Sequence, residues 1–130
     1  MHGSLTSEER TEERTRPVAV VDDDAAVLDS LKVLLETTGH RVAVYASAAA
    51  FLDDGGTEPA CLILDHHMPE MTGLELAARL RKAGVSVPVL LITGVHSLTI
   101  AARAAELGIE RVLEKPLDEG DLLSFVTAHY

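Results

Sequence analysis

From Pro17 onward, short unbroken apolar runs take turns with stretches in which apolar residues recur every three or four positions. Val18 to Val21 reads as a strand buried on both faces, since a strand with one wet face would alternate apolar with polar. It stops at Asp22, Asp23 and Asp24. Ala25, Val27, Leu28, Leu31, Leu34 and Leu35 then recur at helical spacing, and Gly39 ends that helix. Arg41 to Tyr45 is a second strand, more polar and nearer an edge. Ser47 caps a short Ala-rich helix to about Asp53, and Gly55 and Gly56 open a loop. Cys61 to Leu64 is again wholly apolar and ends at Asp65. After the break at Met68-Pro69, Thr72 and Glu75 have the spacing of a capping box that opens a helix to about Ala83. Val87 to Ile92 is the fourth strand, ending at Thr93-Gly94. A helix from about Ser97 to Leu107 follows, stopped by Gly108. Ile109 to Leu113 is the fifth strand, ending at Glu114-Lys115-Pro116, and Asp118 caps the last helix.

Five strand–helix units in sequence imply parallel crossovers with helices on both faces, so the expected product is a doubly wound α/β domain. Its ligand site belongs beyond the carboxyl ends of the strands. Residues 1–16, with four Glu, three Arg and little apolar surface, read as a charged leader, flexible or a helical extension. Residues 17–130 then form the domain, and the length of 130 residues suits one domain.

Composition narrows the function. Hydrophobic residues at 47% and charged residues at 25% exclude disorder of the whole chain. No apolar run reaches the ~18 residues of a membrane helix, and the charged N-terminus is unlike a signal peptide. The net charge is −10; the leader carries −1 of it, so the acidity belongs to the domain and argues against direct nucleic-acid binding by this chain. The single cysteine, Cys61, precludes an internal disulfide and suits a reducing, cytoplasmic setting. Its apolar strand marks it as an inert core residue.

The informative polar residues sit at strand ends. Asp22 and Asp23 follow strand one, Asp65 ends strand three, Thr93 ends strand four and Lys115 follows strand five, all on the edge where a parallel sheet places its ligands. Three carboxylates gathered there repel by about 4 kcal/mol per pair at about 4 Å with an effective dielectric near 20. Either some are protonated or a cation compensates them, and Mg²⁺, or Mn²⁺ in its place, suits oxygen ligands. Lys115 can hold an anion and Thr93 can donate a hydroxyl. Asp24 reads as a helix cap. His66-His67 looks like a metal pair, but neighbours on an extended segment point apart and further ligands are wanting, so these histidines are expected to be exposed or to line the mouth of the site, His67 at its entrance.

VVDDD (20–24), LILDHHMP (62–69), LLITG (90–94) and LEKP (113–116) together resemble the CheY-like receiver domain of bacterial two-component response regulators, over essentially all of residues 17–130. VLDSL (27–31) and YASAAAFL (45–52) look most like receivers that precede a LuxR-type helix-turn-helix output domain, which implies a part in transcription. The resemblance implies a flavodoxin-like sandwich with strand order 2-1-3-4-5. It implies that Asp65 accepts a phosphoryl group from a sensor histidine kinase or phosphotransfer protein. The metal would be bound by Asp22, Asp23, Asp65 and the backbone carbonyl of His67. Lys115, Thr93 and Gly94 would hold the phosphoryl group, with Thr93 as the switch, and Pro116 would follow a cis bond. Such a domain is no enzyme in the ordinary sense, catalysing only its own phosphorylation and dephosphorylation. A phosphorylation-dependent homodimer through strand and helices four and five is expected, with the first helix and strand five as the other surface.

Two positions depart from the family. Val112 stands where an aromatic usually swings inward with the threonine, and Val95 is bulkier than the small residue common after Gly94. Two further functions fit less of the pattern. An aspartyl-phosphate phosphohydrolase would want a second acid two residues after the nucleophile, where His67 stands. A degenerate receiver, serving only as an interaction module, would not need the full phosphorylation set.

Overall fold

A computed structural model describes residues 16–54 and 58–130. The leader, apart from Arg16, and the Gly55-Gly56 loop lie outside the described residues. The elements alternate without exception: β1 (Val18–Val21), α1 (Ala25–Thr37), β2 (Val42–Tyr45), α2 (Ala48–Asp53), β3 (Cys61–Asp65), α3 (Gly73–Lys82), β4 (Val89–Thr93), α4 (Leu98–Glu106), β5 (Arg111–Glu114) and α5 (Glu119–His129). The strands form one parallel sheet in the order β2-β1-β3-β4-β5, as the resemblance implied.

Alternation along each strand divides the core in two. Ala19, Val21, Leu62, Leu64, Val89 and Leu91 face one side, where Ala48 of α2, Leu76, Ala77 and Leu80 of α3 and Ala104 of α4 cover them. Val18, Val20, Cys61, Ile63, Leu90 and Ile92 face the other, under Leu28, Leu31 and Leu35 of α1 and Leu122, Phe125 and Val126 of α5. β1, β3 and β4 are buried throughout, whereas β2 and β5, at the edges, are only partly covered. That is why the outer strands read as more polar.

The helix ends follow local chemistry. Asp24, Ser47, Thr72, Ser97 and Asp118 each accept a backbone N–H as N-cap, and Thr72 and Glu75 close a full capping box. The Thr72 backbone N–H, and after it the Thr72 side chain, hold the Glu75 carboxyl below its ordinary range. At the C-terminus of α4, Gly108 takes φ +66 and donates to Ala105 O while Ile109 N–H reaches back to Ala104 O, which is a Schellman cap.

That cap corrects the start of the fifth strand. Ile109 is spent closing the helix, so β5 begins at Arg111 rather than Ile109 and runs on to Glu114. β4 likewise begins at Val89, not Val87, because Pro88 precedes the first paired residue and gives only its carbonyl, to Leu62 N–H. It extends to Thr93, one residue past the expected end. β2 begins at Val42, whose pairing with Val18 opens the β1–β2 ladder, so Arg41 stays outside.

Candidate functional site

Short loops after β1, β3, β4 and β5 bring the strand-end residues together on one rim. Asp22 leaves β1 into the turn that opens α1, and its Oδ1 accepts the Asp24 N–H at 2.9 Å. Asp65 is the last residue of β3. Asp22 and Asp65 are buried, with Asp23 exposed beside them, and one carboxylate oxygen from each lies within 4.8 Å of the others. From β5, Lys115 places its Nζ 3.3 Å from Asp65 Oδ1, with the lysine side chain 41% exposed and the aspartate side chain 2%. The ammonium reaches Asp65 as an ion pair but is not aimed as a hydrogen bond, so Asp65 Oδ1 and Asp22 Oδ2 are both buried without a hydrogen-bond donor.

Such a cluster is electrostatically incomplete. Burial pushes the Asp22 carboxyl above its ordinary range; the Asp24 N–H opposes this, the charge of Asp65 adds to it, Lys115 offsets part, and Asp23 raises it again. Two orphaned buried carboxylate oxygens, with a third carboxylate at the rim, make an oxygen-only donor set of excess negative charge, which fits a hard divalent cation. The bond between Lys115 and Pro116 is cis, as expected.

Thr93, at the end of β4, is buried, and its hydroxyl is fully engaged. Val95 N–H donates to Oγ1 at 3.2 Å, Oγ1 reaches Val95 O at 3.3 Å, and His67 Nε2 shares a hydrogen bond with it at 3.0 Å. Val95 therefore meets the threonine through its backbone, while its side chain belongs to a residue 48% exposed. Val112 pairs in register with Leu91 and packs on the α2–α3–α4 side of the core. Gly94 is exposed, and a Cβ there would meet nothing closer than the His67 ring at 4.0 Å.

The histidines differ from expectation in one respect. His67 does lie exposed at the mouth and His66 is half-buried, but their rings do not point apart; they touch edge to face with centroids 5.0 Å apart. The chain is no longer extended there. Met68 N–H folds back to His66 O at 3.1 Å, and Leu74 N–H, in the first turn of α3, donates to His66 Nδ1 at 3.4 Å. Burial and the neighbouring His67 lower the pKa of His66.

Two contributors escaped the sequence reading. One is the side chain of His67, which bridges to Thr93. The other is Gly73, where a Cβ would lie 2.7 Å from the Asp65 carbonyl oxygen and 2.7 Å from Leu91 Cδ1, so α3 can close on the end of β3 only without a side chain. A glycine just after a Thr cap, where a better helix former would be ordinary, was the available signal.

A family model described as "Response regulator receiver domain" matches residues 18–127. Transcriptional regulatory protein FixJ of Azorhizobium caulinodans is 42% identical over 113 residues, covering 86% of this chain and 54% of that protein. Response regulator protein TmoT of Ectopseudomonas mendocina is 40% identical over 110 residues, covering 84% and 50%. The chain thus spans about half the length of these relatives. Among solved structures, the crystal structure of FixJ-N superposes with a TM-score of 0.78 at 30% identity, covering 86% of this chain and 90% of that one. A CheY-like receiver domain from Methanospirillum hungatei gives 0.80 at 29%, covering 87% and 91%. With the fold, the carboxylate cluster and these matches in agreement, the chain belongs to the receiver-domain family of two-component response regulators.

Proposed function

We propose that Asp65 is the phosphoacceptor of this receiver domain, and that Lys115, Thr93 and Gly94 receive the phosphoryl group once it is there. The observation that carries the assignment is the buried Asp65 carboxylate lying 3.3 Å from the Lys115 ammonium and beside Asp22 and Asp23. In the reaction, an Asp65 carboxylate oxygen forms the new P–O bond while the P–N bond of a phosphohistidine on a sensor kinase or phosphotransfer protein breaks, returning the electron pair to the imidazole. Phosphoryl transfer asks the protein chiefly for positioning and for neutralising charge on the equatorial oxygens. Lys115 does part of this by exchanging its carboxylate partner for a phosphoryl oxygen. Asp22, Asp23, Asp65 and the His67 carbonyl would hold Mg²⁺ or Mn²⁺, which when bound offsets the negative charge of both carboxylates and phosphoryl group. Thr93 then donates its hydroxyl to the new acceptor, which couples the chemistry to the β4–α4 loop.

The names of the relatives support an output in transcription, delivered by a domain outside this chain, and a cytoplasmic setting suits the lone buried thiol of Cys61. A phosphorylation-dependent homodimer would use the α4–β5–α5 face or α1 with β5, and exposed apolar side chains stand on α4 and α1 alike, Leu98 and Val33. Val112, lacking a ring to follow Thr93, leaves the shift confined to residues 94–107 and the adjoining face of β5.

Incubation with Mg²⁺ and a small phosphodonor followed by intact mass tests the assignment. One added phosphoryl group is expected on the natural chain and none on Asp65→Asn, which keeps the shape and removes the nucleophile. Labelling of the Asn variant at the natural rate would overturn it; turnover of donor without adduct would indicate a phosphohydrolase, and no reaction a pure interaction module. Sedimentation with beryllofluoride checks the dimer: an unchanged mass with altered amide shifts at residues 94–107 would leave the switch and remove the dimer.

A further inference from the structure

We infer that His67 is a positioning residue that holds the hydroxyl of Thr93 in its resting orientation, so that charging the site must break a specific side-chain hydrogen bond. This rests on the reading that Asp65 carries the phosphoryl group.

A hydroxyl has one proton and two lone pairs; with the proton of the His67 ring on Nε2, Thr93 Oγ1 accepts from it at 3.0 Å and from Val95 N–H at 3.2 Å and donates to Val95 O at 3.3 Å, so that all three are used. Thr93 is 2% exposed, so water offers little replacement. The two contacts with Val95 are local and belong to the same loop. The contact with His67 is the tie among these three that comes from a different element, the segment leaving β3, and it crosses to β4 beside the phosphoacceptor.

The ring is itself supported. It packs edge to face on His66, whose Nδ1 accepts from the first turn of α3, and His66 N–H is fixed to Ile92 O at 2.8 Å. Its Cδ2 lies over the open side of Gly94. An imidazole braced this way presents Nε2 to Thr93 without the rotamer freedom of a longer side chain. When a phosphoryl oxygen takes the hydroxyl proton in place of Val95 O, the hydroxyl turns towards it and leaves His67, and the free energy of that bond is subtracted from the switch. The tie stabilises the resting state alone, which is the condition for shifting a two-state equilibrium.

Half-saturation of the protein by beryllofluoride at fixed Mg²⁺, followed by the amide shift of Val95, measures the effect. His67→Ala should lower the half-saturating concentration about fivefold, the factor one net hydrogen bond is worth. It should also move the Val95 amide of the free protein toward its charged position. His67→Gln, whose amide can reach Oγ1, should restore values near those of the natural chain. In a Thr93→Ala background, His67→Ala should change nothing, since the partner is gone.

Unchanged or weaker beryllofluoride binding in His67→Ala would overturn the inference, as would an equal gain in the Thr93→Ala background. Beryllofluoride binding that survives Asp65→Asn would instead sink the phosphoacceptor assignment, so the two failures are distinguishable.

Discussion

The two flanks of the strand-end rim are built on opposite principles. On the carboxylate flank, Asp22 and Asp65 bury oxygens that no donor satisfies, and Lys115 is the near cation. On the hydroxyl flank, Thr93 is equally buried but has no bonding capacity left. A deficit of partners among carboxylates makes a site avid for cations, because a cation that arrives meets groups already stripped of water. A full set of partners makes a site reluctant, because anything gained there must first displace something. The deficit lies at the ends of β1 and β3 and the full set at the end of β4.

The largest way to break this comparison is to remove the rim carboxylate. Asp23→Ala should slow Mg²⁺-dependent labelling of Asp65 by about a hundredfold or more, the scale on which preorganised charge stabilisation is lost. Asp24→Ala, which removes a helix cap at exposed residues, should leave labelling far closer to normal and be felt instead as lowered stability of about 1 kcal/mol. Equal effects of the two on labelling would mean that the cluster does not hold the ion.

A smaller effect sharpens the idea of a deficit. The Asp22 carboxyl titrates above its ordinary value of 3.8 in the fold, so its contribution to stability is full below that value and is lost as pH rises through the folded value. Above the folded value the ionised carboxylate therefore works against folding. Asp22→Asn should raise stability there, because a neutral amide removes a buried charge and its repulsion with Asp65 and Asp23, and the gain should fade in acid and when Mg²⁺ is added to the natural chain. Denaturant melts across pH with and without Mg²⁺ read this directly.

The glycines of the two flanks supply the last contrast. Gly73→Ala drives a Cβ to 2.7 Å from the backbone of Asp65 and should cost about 1–3 kcal/mol as overpacking. Gly94→Ala meets only the edge of an exposed ring and should change stability by less than about 0.5 kcal/mol.

Much of the fold and rim was legible because it is written locally. Unbroken runs such as Cys61–Leu64 state burial on both faces, the Thr72–Glu75 spacing states a capping box, and strand-end polar residues state a shared edge through the geometry of parallel sheets. What was not legible depends on where the chain bends after a strand. Ile109 reads as strand until the Gly108 cap claims its N–H. His66 and His67 point apart only while the backbone stays extended, and the turn at Met68 cancels that rule. The bond from His67 to Thr93 spans 26 residues of sequence and arises only once both strands are paired. Gly73 was visible but mute, because its reason is the closeness of another backbone.

Cys61, wholly buried in the middle of the sheet, is the chain's single thiol, and burial pushes its pKa up to about 12. A reagent that attacks thiolates can touch it only when β3 leaves its neighbours β1 and β4. Under fast reclosing, alkylation of the unaltered protein becomes a stopwatch for the rarest excursions of the fold, counting the population of opened molecules. Because β3 ends in Asp65, that same stopwatch should slow when a cation or a phosphoryl mimic settles on the rim.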